Sequence, residues 1–367
     1  MGYNMLNVKI RCRHCFLKIA CGDDFKGSEV ACPGCKNTIR IPTPSYNTGE
    51  KIFDYTIEQW LGNGAMGEVY LARQESMDRL VALKIINQQK LQNKEDKQRF
   101  VREVRLLANL NHPNIVTAIE AGDFQNTAFL AMRYVYGTTA EDKILKDGPF
   151  SEQLALKVCM TIAHALDHAW AKCKLIHRDL KPANFMIDRD NIIHLMDLGI
   201  AKRVGLDGTL GDGEYVMGTP FYMSPEQARG KDLDLRSDMY SLGASLYHML
   251  TGHAPYEKMI TSNSIMSEKL HKPPTNPLVY NPNISKPVLD FLNNIMAIDI
   301  NKRPNDWQEV KDKIKETLKK RSLQSSSSSH TISEIKKKNT KKSPITIVLI
   351  AGISIVVFLF IYLLLRQ

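Results

Sequence analysis

The period of the hydrophobic pattern changes along the chain. Ile345 to Leu365 is 21 consecutive residues without a charge. At about 1.5 Å of rise per residue such a helix spans about 30 Å, the thickness of bilayer hydrocarbon. Thr346, Ser354 and Tyr362 are its only hydroxyls, so the run has no polar face and predicts a transmembrane helix over 344–365. Upstream the apolar runs are shorter. Glu68–Ala72 and Leu80–Ile86 are β-rich and alternating, which predicts two consecutive strands, and Phe129–Val135 reads as another. Phe100, Val104, Leu107 and Leu110 recur near the helical period and predict a helix over about residues 94–109. Leu154–Trp170 is a second helical, apolar stretch. Periodicity stops at 319–343, where Ser325–Ser329 is five serines in a row flanked by lysines, and this predicts a linker.

Charge adds topology to this pattern. The formal net charge is +10, from 49 Lys+Arg against 39 Asp+Glu. Residues 1–45 carry +4, residues 319–342 carry +7, and the interior 46–318 carries −2. A basic chain raises nucleic acid as a partner, but here the surplus sits at the ends, so a nucleic-acid-coating core is not expected. Lys336–Lys342 precedes the apolar run and only Arg366 and Gln367 follow it. The lysine excess marks the cytoplasmic side, so residues 1–344 are expected there, with the chain tail-anchored. The same lysines suit anionic lipid headgroups. Met1–Ile10 has no long apolar run, so no N-terminal signal peptide is expected.

Five of the seven cysteines lie in the first 35 residues. Cys12-x2-Cys15 and Cys32-x2-Cys35 are separated by 16 residues. Two such knuckles can bring four thiolates to one tetrahedral Zn2+, and a cytosolic setting disfavours disulfides. Residues 1–42 are therefore expected to form a small β zinc ribbon, with 43–52 as a linker. So short a module holds little core, and metal must supply its folding energy. Cys21 stands outside both pairs, His14 between two ligands is expected to be exposed, and Cys159 and Cys173 read as buried structural thiols.

Chemistry enters with Gly62-Asn63-Gly64-Ala65-Met66-Gly67. A G-x-G-x-x-G run is ambiguous alone, because dinucleotide-binding folds share it. Here a strand follows the third glycine, not a helix. A glycine loop between antiparallel strands can fold over phosphates as a flap. Lys84 lies in the next strand. Glu103 falls among apolar positions of the following helix, where a carboxylate needs a partner, and Lys84 is the expected one. Then come His177-Arg178-Asp179-Leu180-Lys181-Pro182-Ala183-Asn184, Asp197-Leu198-Gly199 and Ser224-Pro225-Glu226. Asp179, Asn184 and Asp197 supply the hard oxygens and the carboxylate that phosphoryl transfer from ATP needs.

These motifs, in this order and spacing, resemble those of the bacterial serine/threonine protein kinases of the eukaryotic-like, Hanks type. The resemblance covers about residues 53–318. It implies an α+β bilobal protein-kinase fold, with a β-rich small lobe (53–135) and a helical large lobe (136–318). It implies Asp179 as catalytic base and Asn184 and Asp197 as Mg2+ (or Mn2+) ligands. Lys84 would contact phosphates, Glu103 would hold Lys84, and Lys181 would steady the γ-phosphate. Thr219 would form the floor under the accepting residue. Glu226 would pair with Arg303, and Asp238 would brace the catalytic loop. Adenine would meet backbone groups of Arg133 and Val135, with Met132 limiting the back of the pocket and Leu61, Val69, Ala82 and Met186 as apolar walls.

The implied activity is transfer of the γ-phosphate of Mg-ATP to Ser/Thr of protein substrates, autophosphorylation included, at the bacterial inner membrane. Homodimers through the ribbon or the membrane helix fit such an anchor. The competing reading is a scaffold that binds nucleotide or partners without transfer. The chain departs from the family at Leu198 and Ser224, where Phe and Ala are commoner, and at Arg133, where many members carry Glu. The activation segment, 200–220, is poor in hydroxyls. Thr209 lies far upstream, Tyr215 stands before Gly218-Thr219, and Asp212 and Glu214 sit nearby. Carboxylates standing in for a loop phosphate are the expectation, with Thr209 phosphorylation as the alternative.

Overall fold

A computed structural model describes residues 8–12, 17–21, 25–64, 67–86, 104, 110–124, 127–197, 220–259 and 261–339. The chain divides into two units, Met1–Lys315 and Glu316–Gln367.

The first unit begins with two antiparallel hairpins, β1 (Val8–Arg11) with β2 (Lys18–Cys21), and β3 (Glu29–Ala31) with β4 (Thr38–Arg40). Then follow β5 (Lys51–Ile52), β6 (Tyr55–Gly64), β7 (Gly67–Gln74), β8 (Arg79–Ile86), β9 (Ala118–Phe124) and β10 (Thr127–Arg133). One sheet runs in the order β2-β1-β6-β7-β8-β10-β9, with β5 on the flank of β6. The predicted strands 68–72 and 80–86 lie inside β7 and β8. Their alternation works as the period-2 rule requires. Tyr70, Ala72, Val81, Leu83 and Ile85 join Tyr55, Ile57, Trp60, Phe129 and Ala131 in one buried cluster. The other face of β8 and β10 buries Ile86, Ala128 and Leu130 against Val104, one of the four helix-period positions.

The same cluster also takes in Ile10, Cys12, Cys32, Ile39 and Ile41. The N-terminal hairpins are thus not a self-contained module with a free linker. β1 pairs in parallel with β6, at Lys9 opposite Gly62. The segment between is tied down as well: Ser45 N–H donates to Glu68 Oε2 at 3.0 Å and Tyr46 N–H to Tyr70 Oη at 3.2 Å. The reason is size. About 40 residues cannot enclose their own core, so the hairpins lend their apolar side chains to the larger sheet.

Beyond β10 come β11 (Gly137–Thr139), α1 (Ala140–Asp147) and α2 (Glu152–Cys173). Ser151 Oγ caps α2 by accepting from Leu154 N–H at 3.3 Å. Ala155, Cys159, Ile162, Leu166 and Ala169 form its buried stripe. Cys159 is buried, and burial pushes its thiol upward, whereas Cys173 is only half-buried. β12 (Phe185–Asp188) and β13 (Ile193–Leu195) pair antiparallel beside β11. The helices α3 (Pro225–Ala228), α4 (Leu235–Thr251), α5 (Ser262–His271), α6 (Lys286–Ile295) and α7 (Trp307–Asn339) follow. α4 is buried nearly throughout, and Ser241, Ser245 and Thr251 donate to carbonyls four residues back, so their hydroxyls need no water.

In the second unit the chain is helical through Asn339, where a linker of 319–343 was expected. Extending an existing helix needs no new nucleus, so a serine run of modest propensity can follow, and Lys320 pairs with Glu316 one turn back at 2.7 Å. Among the described residues no helix is long and apolar enough to cross a membrane. The run 344–365 lies outside them.

Candidate active site

The site contains two unusual backbone positions. Arg178 and Asp197 both take left-handed φ values, 66° and 50°. Such residues are held by their surroundings. At Arg178 the holder is Asp238, in the first turn of α4. Its carboxylate accepts from His177 N–H at 2.6 Å and Arg178 N–H at 2.8 Å. Burial pushes the Asp238 carboxyl upward, with His177 and Arg178 opposing. Gln227 of α3 adds a bond from Nε2 to the Arg178 carbonyl at 2.9 Å. His177, fully buried, accepts from Asp179 N–H on Nδ1 at 3.3 Å and donates from Nε2 to Met196 O at 3.2 Å. These partners set its tautomer.

The β12–β13 pairing brings the distant oxygen donors together. Phe185 lies opposite Leu195, and Met196 N–H donates to Asn184 O at 2.9 Å. Asn184 therefore stands beside the residue that precedes Asp197. Its Nδ2 donates to Asp179 O at 2.8 Å and to Asp179 Oδ2 at 3.4 Å, which leaves its amide oxygen as the ligand atom. Lys181 Nζ binds Asp179 Oδ2 at 2.7 Å. Lys84 Nζ reaches Asp197 Oδ1 at 2.6 Å across 113 residues of chain. The Lys84 side chain is 10% exposed and that of Asp197 44%, so the ammonium comes from within the sheet and the carboxylate is only partly withdrawn from water. Desolvation pushes Asp197 up, but the charge and hydrogen bond of Lys84, with Lys181 adding, outweigh it and hold the carboxyl low. This oxygen cluster beside two ammonium groups can hold a divalent cation and a polyphosphate, with a carboxylate placed to accept a proton.

The glycine loop joins β6 to β7. Gly62 lies opposite Val69 and Gly64 opposite Gly67, and Gly62 and Gly67 have φ of 152° and 147°, where a side chain is strained. Asn63 at the edge of the loop is exposed. Leu61, Val69 and Ala82, on the neighbouring strands β6, β7 and β8, are half-buried, as are Met132 and Met186. Val135 is buried. Arg133 N–H donates to Thr117 O at 3.0 Å, so this residue has its carbonyl to offer a base. Its side chain reaches His194 on β13, Nη2 to Nδ1, at 3.0 Å.

Glu226 and Arg303 form a bidentate pair, Nη1 to Oε1 at 2.7 Å and Nη2 to Oε2 at 2.9 Å, and Ser237 Oγ donates to Oε1 at 2.6 Å. Ser224, the departure from Ala, earns a use as the cap of α3, accepting from Gln227 N–H at 3.2 Å. Glu103, Ala65, Met66 and Thr219 lie outside the described residues, as do Cys15 and the segment with Leu198, Thr209, Asp212, Glu214 and Tyr215. Within the described residues Lys84 is paired with Asp197.

At the N-terminus, the sulfurs of Cys12, Cys32 and Cys35 all lie within 4.8 Å of one another, and those of Cys12 and Cys35 are 3.7 Å apart. Cys12 and Cys32 are buried. Asn37 Nδ2 donates to Cys35 Sγ at 3.4 Å.

His177 and Gln227 escaped the sequence reading as positioning residues. The only signal was the position of each beside a motif carboxylate.

A sequence model of the family described as "Protein kinase domain" matches residues 55–342. The serine/threonine-protein kinase pkn3 of Myxococcus xanthus is 36% identical over 231 residues, 60% of this chain and 42% of that protein. The serine/threonine-protein kinase PknJ of Mycobacterium tuberculosis is 38% identical over 233 residues, 62% of this chain and 39% of that protein. The matched part is thus about two fifths of the length of these curated relatives. The crystal structure of the Mycobacterium tuberculosis PknI kinase domain superimposes with a TM-score of 0.59 at 26% identity, covering 74% of this chain and 99% of that one.

Proposed function

Because the chain belongs to the protein kinase domain family, we propose that it transfers the γ-phosphate of ATP to serine and threonine hydroxyls of proteins. The observation that carries this is the convergence of the Lys84–Asp197 pair and the Lys181–Asp179–Asn184 group, each held by bonds of 2.6 to 2.8 Å and linked by Met196 N–H to Asn184 O at 2.9 Å. Asp179 accepts the hydroxyl proton as the nucleophile attacks. Lys181 balances the carboxylate and meets the charge on the moving phosphoryl group. Lys84 orients the α- and β-phosphates. Asn184 and Asp197 are the residues that would hold Mg2+, whose role is to neutralise phosphate charge. An ionised Asp197 and a free amide oxygen suit that hard cation. Autophosphorylation follows where copies share a membrane.

The membrane reading rests on the uncharged run 345–365 and the lysines before it, and it sets both the sheet domain and the cysteine cluster on the cytoplasmic side. The zinc reading rests on the three clustered thiols, with Cys15 as fourth ligand. Tetrahedral Zn–S bonds of about 2.3 Å imply sulfur separations of about 3.8 Å, close to the 3.7 Å between Cys12 and Cys35.

The test is transfer of labelled γ-phosphate to a generic basic protein. Asp179→Asn is expected to lower the rate by about a hundred- to ten-thousandfold. Wild-type transfer no higher than the background given by Asp179→Asn would overturn the proposal and favour a scaffold.

A further inference from the structure

Lys269 is a lysine where burial is least expected. It lies in the last turn of α5 and is 0% exposed. Buried ammonium groups persist only when fully paired. No carboxylate forms an ion pair with this one among the described residues. Instead, Nζ donates to three main-chain carbonyls, Pro220 at 2.9 Å, Phe221 at 2.7 Å and Met223 at 2.6 Å. Two aromatic faces complete the cradle, with the Tyr256 and Tyr240 ring centroids at 5.1 and 5.4 Å. Burial pushes the amine downward and Glu226 opposes it. Three acceptors are satisfied together only by the three protons of the charged form.

The carbonyls it binds belong to the stretch that leads out of Thr219 and into α3. That stretch is also anchored from its other end. Ser224 caps α3, Glu226 locks to Arg303, and Gln227 bonds to the catalytic-loop carbonyl of Arg178. The Tyr240 ring carries Arg303 at 5.0 Å and Lys269 at 5.4 Å. One aromatic ring thus touches both cations that secure the segment.

We propose that Lys269 is a positioning residue for protein substrate. By gathering three carbonyls of residues 220–223 around one ammonium, it fixes the main chain that runs into α3 beside the catalytic loop, against which a protein substrate would lie. It acts through the main chain, so its effect is on peptide docking, not on nucleotide. This rests on the kinase reading, with Pro220–Met223 beside the acceptor site.

The experiment compares wild type with Lys269→Met, which keeps length and apolar bulk but removes every donor. Lys269→Gln retains a shorter donor group, and Lys269→Arg retains charge. The substrate is a serine peptide phosphorylated by the wild type. Peptide kcat/KM is expected to fall about ten- to a hundredfold in Lys269→Met, as expected for a misplaced acceptor. KM for ATP is expected to stay within about twofold, and Arg to recover more than Gln. If the Met chain does not fold by thermal melt, the Gln chain carries the same comparison. Parallel losses in ATP and peptide parameters, or none in either, overturn the proposal alone. Absence of transfer by wild type overturns the kinase reading and this proposal with it.

Discussion

Glu226 shows how one side chain's surroundings become a property of the whole fold. Desolvation raises its carboxyl, but the hydrogen bonds and charge of Arg303, helped by Ser237, bring it down to about 2. The folded pKa lies below the ordinary value of 4.5. The carboxylate therefore contributes stability that is fully present above pH 4.5 and is lost as pH falls toward about 2, a contribution of about 3 kcal/mol. Arg303 is 0% exposed in its side chain. Arg303→Met leaves a buried charge alone and is expected to cost about 3–5 kcal/mol at neutral pH, with a flatter acid limb. Denaturant melts from pH 2 to 7 check both. The partnership was legible in the sequence, because Ser-Pro-Glu and Lys-Arg-Pro occur in order. The cradle of Lys269 was not, since nothing in Ser-Glu-Lys-Leu-His distinguishes a buried lysine from a solvated one. Its acceptors lie 46 to 49 residues away.

At the scale of elements, the periodic stretches were readable and their contacts were not. α2 and the strands β7 and β8 follow from alternation and helical spacing. Gly243 does not. Glycine inside a helix costs about 1 kcal/mol against alanine, and sequence offers no reason for it. The reason is α6. A Cβ at Gly243 would come within 2.6 Å of Ile295 Cγ2 and 2.7 Å of Met296 Cγ. Gly243→Ala is therefore expected to destabilise the fold by about 1–3 kcal/mol in spite of its helix propensity. A drop in thermal midpoint with unchanged helix content by circular dichroism is the expected result. The serine-rich stretch after Arg321 is the converse case. Composition reads as a linker, yet a helix already under way carries it on to Asn339.

At the scale of the molecule, the first cysteine hairpin, β1–β2, shares a sheet with the glycine loop, and the second, β3–β4, packs into the same core. A self-standing ribbon would lose its metal without consequence for the rest. The β1–β6 pairing at Lys9 and Gly62, and the common core of Cys12, Cys32, Trp60 and Tyr70, predict otherwise. With zinc held by the cysteines as proposed, its removal by a zinc-selective chelator, Mg2+ in excess, is expected to raise KM for ATP about fivefold or more. Metal loss with an unaltered KM would show that the strand pairing carries no coupling. By itself, the sequence determined the family, the order of the motifs, the four-cysteine spacing and the charge at the two ends. Each of these is local, a matter of residue type at fixed separation. Only the tertiary structure decided that Lys84 meets Asp197, that Lys269 binds the carbonyls of residues 220–223, and that β1 pairs with β6 at Gly62. Those outcomes depend on burial and on contacts between residues tens of positions apart, where the cost of desolvating a charge or stranding an apolar face selects the partner.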